Sequence, residues 1–123
     1  MRIAIAGATG AVGNHVVNVA HERGHSVVAL SRSAGVDLFS SARVTSALEG
    51  VRAVIDVASI STTSLRASEN FCSNSTMNLL TAGVQAGVDH HLALSILNAE
   101  KAPTGYYAGK LLQEQLVEDG PLP

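Results

Sequence analysis

Apolar residues form short continuous runs that alternate with longer segments of helical spacing. Ile3 to Ala6 is an apolar run that ends at a glycine, which is typical of a strand buried on both faces of a parallel sheet. After Gly13, apolar residues recur every three to four positions as far as Ala20, and Gly24 is placed to end this helix. Ser26 to Leu30 is the next apolar run. The pattern predicts two parallel strands joined by a right-handed helical crossover.

The chain after the second strand predicts an abbreviated crossover. A short strand is expected over Val36 to Phe39, and there is no room for a helix before it. Ser40 or Ser41 can cap a short helix that ends near Gly50. Ala53 to Ala58 is then predicted to be a central strand, because it is apolar apart from one carboxylate.

The remaining sequence predicts a helix, a strand and a helix. The long helix is expected from Ser68 to Gly87, the fifth strand from His91 to Ile96, and the last helix from about Gly105 to Val117. The residues expected on their apolar faces are Met77, Leu80, Val84, Tyr107, Leu111, Leu112 and Leu116. This alternation predicts one α/β domain over residues 1–123, a Rossmann-like doubly wound parallel sheet of order 3-2-1-4-5 whose third strand is short or missing.

Composition narrows the function classes. The chain has 123 residues, 46% of them hydrophobic, and a formal net charge of -2, so it is one globular domain or a piece of one. Eight basic residues without runs, and no tryptophan, argue against nucleic acid and against an anionic membrane surface as partners. The single cysteine, Cys72, is expected to be buried, and the first apolar run is too short for a signal peptide. We therefore expect a cytoplasmic protein.

Three glycines lie between the first strand and the first helix. Gly7 allows a tight exit from the strand, Gly10 lets a ligand approach the backbone, and Gly13 lets helix and strand pack closely. The unpaired amides around Ala11 and Val12 then face an anion at the helix N-terminus. A glycine triplet alone could be a mere connection, but strand, motif and helix coincide here. The combination predicts a site for the diphosphate of a dinucleotide.

The end of the second strand bears on the choice of dinucleotide. A carboxylate that binds the ribose hydroxyls of NAD is expected about 20 residues beyond the glycines, and Ser31 stands there instead. Arg32 follows, with Ser33 nearby, and a guanidinium with two hydroxyls suits the 2′-phosphate of NADP. NADP is therefore preferred to NAD. The alternative is that Arg32 is an ordinary solvated loop arginine.

Several motifs in order resemble one family. GATGAVG, the SRS after the second strand, AVIDVAS, the STMNLL helix, HHLALSI and the later YYAGK together resemble the atypical short-chain dehydrogenase/reductases, and the NmrA-like NAD(P)H-binding branch is the most similar. The resemblance runs over the whole chain and implies a longer fold, of which the present sequence corresponds to the first five strands. It implies cofactor contacts at Gly7, Thr9, Gly10, Ala11, Val12, Gly13, Ser31, Arg32, Ser33, Ala58 and Ser59.

The resemblance also implies a catalytic set. Tyr106 and Lys110 match the family's Tyr-x-x-x-Lys pair, in which the lysine holds the nicotinamide ribose and the phenol exchanges a proton with a carbonyl or alcohol. The third member is a hydroxyl near the end of the fifth strand, and Ser95 is the candidate. Asp56 is left unassigned. His90 and His91 point to opposite faces of a strand, so they do not form a metal site together.

Three hypotheses of function follow. The first is an NADP(H)-dependent oxidoreductase that transfers hydride to a small carbonyl or quinone. The second is a non-catalytic module that binds NADP as a redox sensor or docks on a partner. The third is a piece of a longer chain, or a homo-oligomer formed through the exposed sheet edge.

Overall fold

The computed structural model describes residues 1–58, 64–95 and 106–123, with side chains from Ala108 onward in the last segment. In chain order its elements are β1 Arg2–Ala6, α1 Ala11–Glu22, β2 Ser26–Leu30, α2 Ser41–Ala47, β3 Ala53–Asp56, α3 Leu65–Ala86, β4 His90–Ala93 and α4 Tyr106–Asp119. No helix within these described ranges is long and apolar enough to cross a membrane. Apart from one expected strand between β2 and α2, the strands and helices follow one another in the predicted order.

The four strands form one parallel sheet in the order β2-β1-β3-β4. Ile5 of β1 lies between Ala29 of β2 and Ile55 of β3, and Leu92 of β4 is the next partner of Ile55. The order confirms the predicted Rossmann-like sheet with its third strand missing. β2 is therefore an edge strand.

The strand expected over Val36 to Phe39 is not formed. The Val36 N–H donates to the Ser31 carbonyl at 2.9 Å, so the chain turns back at the end of β2 instead of running beside it. The Leu38 carbonyl accepts a hydrogen bond from the Asn78 side chain of α3 at 2.8 Å. Val36 and Leu38 still pack on the core, but as single anchors of a loop. Their apolar character, which suggested a strand, comes from this anchoring.

The first crossover forms as predicted. α1 covers one face of the sheet, where Ala20 packs with Ile3 and Ile5 in a small apolar cluster. Gly24 follows this helix with φ +81°, a left-handed conformation that favours glycine. The chain then enters β2, whose Ser26 N–H donates to the Met1 carbonyl at 3.1 Å. Close packing of strand, helix and strand brings the start of α1 beside the end of β2.

The other face of the sheet carries α2, α3 and α4. α3 begins at Leu65, three residues before the expected Ser68, because Ser64 caps it by accepting from the Ala67 N–H at 3.2 Å. It ends at Gly87 as predicted, with φ +80°. Leu80 is buried as expected, but Met77 and Val84 are 47% and 48% exposed, so the prediction that they face the core is wrong. Where α3 meets α4, contact is made through smaller residues instead.

The buried face of α4 also differs from the prediction. Leu111, Leu112 and Leu116 are half-buried, whereas the fully buried residues are Ala108, Gly109, Lys110 and Gln113. The Gly109 N–H donates to the Ser68 hydroxyl of α3 at 3.1 Å. A methyl group on Gly109 would overlap that oxygen, so the helices approach too closely for a larger residue. The spacing of apolar residues did not reveal this buried face of α4, because two of the residues on it, Lys110 and Gln113, are polar.

Candidate functional site

A cleft of about 480 Å³ opens at the carboxyl ends of β1, β2 and β3. This is the edge of a parallel sheet at which α/β proteins bind ligands. Its described lining residues are Gly7, Thr9, Gly10, Leu30, Ser31, Arg32, Ser33, Val36, Asp37, Leu38, Phe39, Val57, Ala58 and Phe71. Seven of the predicted cofactor residues therefore lie together on one cleft. Ala11, Val12 and Gly13 are adjacent, in the first turn of α1, and Ser59 lies outside the described residues.

The three glycines have separate steric roles. Gly7 has φ +80°, and a methyl group on it would lie 2.7 Å from the Ala58 backbone. A methyl group on Gly13 would overlap the Gly7 carbonyl oxygen, so this position closes the contact between turn and helix. A methyl group on Gly10 meets only that same oxygen, at 3.4 Å. At Gly7 and Gly13 the absence of a side chain allows close packing inside the protein, whereas at Gly10 it leaves open space in the cleft.

The N-terminus of α1 is ready to bind an anion. Gly10 is its N-cap and supplies no side-chain hydrogen bond, and the first turn contains no acidic residue. The first intrahelical bond runs from the Asn14 N–H to the Gly10 carbonyl at 2.9 Å. Within the described residues, the amides of Ala11, Val12 and Gly13 therefore have no acceptor. α3, by contrast, is capped by Ser64. The cradle fits the diphosphate of a dinucleotide without a lysine.

Three polar residues follow β2 at the other end of the cleft. The hydroxyls of Ser31 and Ser33 lie 3.1 Å apart, and the Ala34 N–H donates to the Ser31 hydroxyl at 3.3 Å. Arg32 is exposed, and its side chain makes no hydrogen bond or ion pair with any described residue; its backbone carbonyl accepts from the Gly35 N–H at 3.0 Å. Its guanidinium is thus available to a ligand. Asp37 also lines the cleft, and its carboxylate accepts the Phe39 N–H at 2.9 Å.

An apolar wall completes this end, and sequence reasoning assigned no function to it. Val36, Leu38, Phe39 and Phe71 line the cleft beside Asp37. The rings of Phe39 and Phe71 are edge to face, with centroids 5.9 Å apart and an interplanar angle of 81°. Three of these residues belong to the segment expected to be a strand. These four side chains give this end of the cleft an apolar surface.

The candidate catalytic residues lie elsewhere on the same sheet edge. Tyr106 is the first residue of α4, and its side chain lies outside the described part of the structure. Ser95 follows β4, and its hydroxyl donates to the Glu114 carboxylate. Lys110 is buried, and its ammonium donates to the Leu94 carbonyl at 3.0 Å. Among the described residues, neither Ser95 nor Lys110 lines the cleft.

Lys110 belongs to a buried polar cluster that includes Asp56. The Lys110 ammonium donates to the Gln113 side-chain oxygen at 3.0 Å, and the Gln113 amide donates to Asp56 at 2.9 Å. Burial raises the pKa of Asp56, while the Ala58 N–H, the Lys110 charge and the Gln113 amide act in the opposite direction. Sequence reasoning left Asp56 unassigned and missed Gln113, since a glutamine on a helix carries no signal of burial.

The two histidines confirm the predicted opposite orientations. His90 is exposed and His91 is buried, and no described residue bonds either ring nitrogen of His91. Burial lowers the pKa of His91 to about 4. No group of three potential metal ligands occurs among residues 1–58, 64–95 and 106–123. Cys72 is buried as predicted, and burial raises the pKa of its thiol.

Comparison with solved structures places this fold among Rossmann-type enzymes. The NADPH-dependent quinone oxidoreductase QOR2 of Escherichia coli, solved with NADPH, is 24% identical and superposes with a TM-score of 0.76 over 98% of this chain and 46% of its own. UDP-N-acetylglucosamine 4-epimerase of Bacillus cereus is 22% identical, with a TM-score of 0.80 over 96% of this chain and 48% of its own. The shared architecture extends over nearly all of the present chain.

The sequence itself matches both a curated relative and a family. Photosystem II assembly factor Ycf39 of Synechocystis is 29% identical over 84% of this chain and 36% of its own length. The chain thus spans about half, or less, of the proteins that it matches. The profile of the NAD dependent epimerase/dehydratase family, whose members bind NAD(P), matches residues 3–119. These residues include the glycine turn, β1 except for Arg2, the other three described strands and α4, and the chain belongs to the NAD dependent epimerase/dehydratase family.

Proposed function

We propose that residues 1–123 form an NADP(H)-binding domain whose cofactor lies in the cleft at the carboxyl ends of β1, β2 and β3. The observation that carries the proposal is the uncapped N-terminus of α1, which opens on this cleft beside a glycine that leaves the approach clear. The diphosphate would bind the amides of Ala11, Val12 and Gly13. Family membership supports dinucleotide binding in general.

The choice of NADP over NAD rests on the end of β2. Arg32 is an exposed guanidinium on the cleft, with the hydroxyls of Ser31 and Ser33 beside it. A guanidinium binds a phosphate through charge-assisted, bidentate hydrogen bonds. Asp37 lines the same region and would repel a phosphate placed against it, so the 2′-phosphate is expected on the Arg32 side. The neighbouring Phe39 and Phe71 would contact the adenine.

Calorimetric titration with NADPH and with NADH tests this proposal. We expect NADPH to bind more tightly, and Arg32→Ala to weaken NADPH binding about tenfold or more while changing NADH binding less than twofold. Arg23→Ala is a matched control, because Arg23 is exposed, lies at the C-terminal end of α1 and does not line the cleft. Equal affinity for both dinucleotides, unchanged in Arg32→Ala, would remove NADP as the preferred cofactor.

The reaction that we propose is hydride transfer between the cofactor and a small carbonyl or quinone. The nicotinamide, when bound, supplies or accepts the hydride. Tyr106 would exchange the proton of the substrate oxygen, Lys110 would hold the ribose and assist the phenol, and Ser95 would orient the substrate. Quinone-dependent oxidation of NADPH, lost in Tyr106→Phe and retained in Tyr107→Phe, is the expected result.

A second candidate is a non-catalytic module that binds NADP and responds to its redox state. The contacts of Ser95 and Lys110 favour it, since the serine hydroxyl is engaged by Glu114 and the lysine is buried outside the lining of the cleft. This alternative predicts tight NADPH binding without turnover of any quinone or aldehyde. It fails if turnover is measured with this chain alone and disappears in Tyr106→Phe.

A further inference from the structure

Three polar side chains form one buried series of hydrogen bonds at the carboxyl ends of β3 and β4. One oxygen of Asp56 accepts the Ala58 N–H at 3.0 Å, and the other accepts the Gln113 amide at 2.9 Å. The Gln113 oxygen accepts the Lys110 ammonium at 3.0 Å. Asp56 is 1% exposed, and Lys110 and Gln113 are each 2% exposed. Water therefore does not compete for these groups, and each depends on the protein for its partners.

The direction of every bond in this series follows from Asp56. An ionised carboxylate only accepts hydrogen bonds, so it selects the N–H side of the Gln113 amide. The amide oxygen must then point the other way, towards Lys110. The reversed amide would place an oxygen against the carboxylate and an N–H against the ammonium. A single negative charge thus fixes the orientation of the glutamine and, through it, the acceptor presented to the lysine.

Lys110 needs such an acceptor, because a lysine on a helix ordinarily extends its flexible stem to place the ammonium in water. Here the ammonium instead bonds the Gln113 oxygen and the Leu94 carbonyl just after β4. We propose that Asp56 and Gln113 are positioning residues that hold the Lys110 ammonium at the carboxyl ends of β3 and β4. The inference rests on the proposed function, in which Lys110 serves the cofactor. Ala58, bonded to the same carboxylate, lines the cofactor cleft.

Exchanging the charge between positions 56 and 113 tests the direction of the series. In Asp56→Asn, either orientation of the new amide sets one N–H against another, at Ala58 or at Gln113. In Gln113→Glu, two carboxylates face each other. The double variant D56N/Q113E keeps the net charge and restores every donor to an acceptor. In it, the new amide at position 56 accepts from the Ala58 N–H and donates to the new carboxylate at position 113, which also accepts from Lys110.

The first readout is the rate at which Lys110 reacts with formaldehyde and a borohydride reagent, followed by mass spectrometry under native conditions. The chain contains one other lysine, Lys101, and the α-amino group of Met1 serves as the internal standard. We expect slow labelling of Lys110 in the wild type, labelling about tenfold faster in each single variant, and a rate within twofold of wild type in D56N/Q113E. Asp89→Asn removes the same charge from an exposed position and should leave the rate unchanged.

The second readout is the affinity for NADPH, measured by calorimetry on folded protein. Lys110→Met is expected to weaken binding about tenfold, each single exchange to weaken it by a comparable factor, and the double variant to bind within twofold of wild type. If Asp56 and Gln113 were only structural, their substitution would lower the melting temperature, but the folded molecules would bind NADPH with the affinity of the wild type. Should Asp56→Asn not fold, Gln113→Met carries the same test, because it removes the side-chain oxygen that accepts from Lys110.

The outcomes separate the inference from the proposed function. Unchanged labelling of Lys110 in the single variants, or no recovery in D56N/Q113E, overturns the positioning role. Unchanged NADPH affinity in Lys110→Met overturns the contact between Lys110 and the cofactor, and with it the functional part of the inference. Loss of NADPH binding in the wild type overturns the proposed function itself, whatever the labelling shows.

Discussion

His91 makes the stability of this fold depend on pH, and its burial sets the size of the effect. The side chain is 5% exposed, and burial lowers its pKa from 6.5 to about 4. The unfolded chain, where the ring is solvated, therefore binds a proton at a higher pH than the folded chain does. Stability due to the neutral ring is complete above about pH 6.5 and is lost as the pH falls through 4. Below that pH, folded and unfolded chains are both protonated at this position.

The magnitude follows from the difference in pKa. At about 1.4 kcal/mol for each unit, the full effect is about 3 kcal/mol, of which about 2 kcal/mol is already lost at pH 5. This is a large fraction of the stability of an ordinary domain. Asp56 has the opposite sign, because burial raises its pKa and protonation on acidification relieves the cost of its buried charge. The total pH dependence of the wild type therefore mixes both groups.

Urea unfolding of the wild type and of His91→Leu, at pH values from 7.5 to 4, isolates the histidine. Leucine has a similar volume and does not titrate, and Asp56 is present in both proteins and cancels in the comparison. We expect the free energy of unfolding of the wild type to fall relative to that of the variant by about 3 kcal/mol across this range. His90→Leu is the matched control for replacing a histidine by leucine on β4, since His90 is the exposed neighbour of His91. A difference between wild type and His91→Leu that is constant with pH would refute the reasoning.

Four further substitutions have outcomes that the contacts or the backbone conformation determine. Gly10→Ala should abolish most dinucleotide binding in calorimetry and change the free energy of unfolding by less than about 1 kcal/mol, because the new methyl group meets no atom of the protein closer than 3.4 Å. Gly24→Ala, at φ +81°, should destabilise the fold and leave dinucleotide binding unchanged. Equal dinucleotide binding by the two variants would contradict the role given to Gly10. Gly109→Ala should destabilise the fold by about 1 to 3 kcal/mol in urea, since its methyl group would overlap Ser68, and a melting temperature equal to wild type would show that the helices separate freely. Arg52→Ala removes an ion pair whose partners are 64% and 45% exposed, so it should cost less than about 1 kcal/mol, and a cost that persists in high salt would contradict a purely surface interaction.

Local patterns predicted the first crossover well, because its evidence lies within a few residues of sequence. Each signal determines the backbone conformation of its own neighbourhood: the apolar run of β1, the glycines at 7, 10 and 13, and Gly24. The same reasoning named seven of the residues that line the cleft. It was harder to predict which face of α3 is buried. Met77 and Val84 have the right spacing for the core, but they lie on the side of α3 that no described element covers fully.

The polar part of the site could not be derived from the sequence. Whether Lys110 is buried depends on Gln113 and on Asp56, which is 57 positions from Gln113 along the chain, and no periodicity links residues so far apart. The same holds for Ser95, whose hydroxyl meets Glu114 of α4. The family's motif identifies residues by type and spacing, and tertiary contacts decide which of them face the cofactor. The functional roles of all the predicted site residues, Tyr106 and Ser59 included, stay predictions.

The missing third strand has a consequence for the behaviour of the protein in concentrated solution. β2 pairs only with β1, so the N–H and carbonyl groups of Val27 and Ala29 point outward and have no partner among the described residues. The strand, SVVAL, has neither a charge nor a proline, the features by which natural edge strands resist unwanted pairing. At β4, by contrast, the outward His91 N–H is taken by the Pro123 carbonyl at 2.8 Å. β2 is thus the edge at which aggregation by intermolecular sheet growth is expected to begin, and a lysine there would act as a gatekeeper.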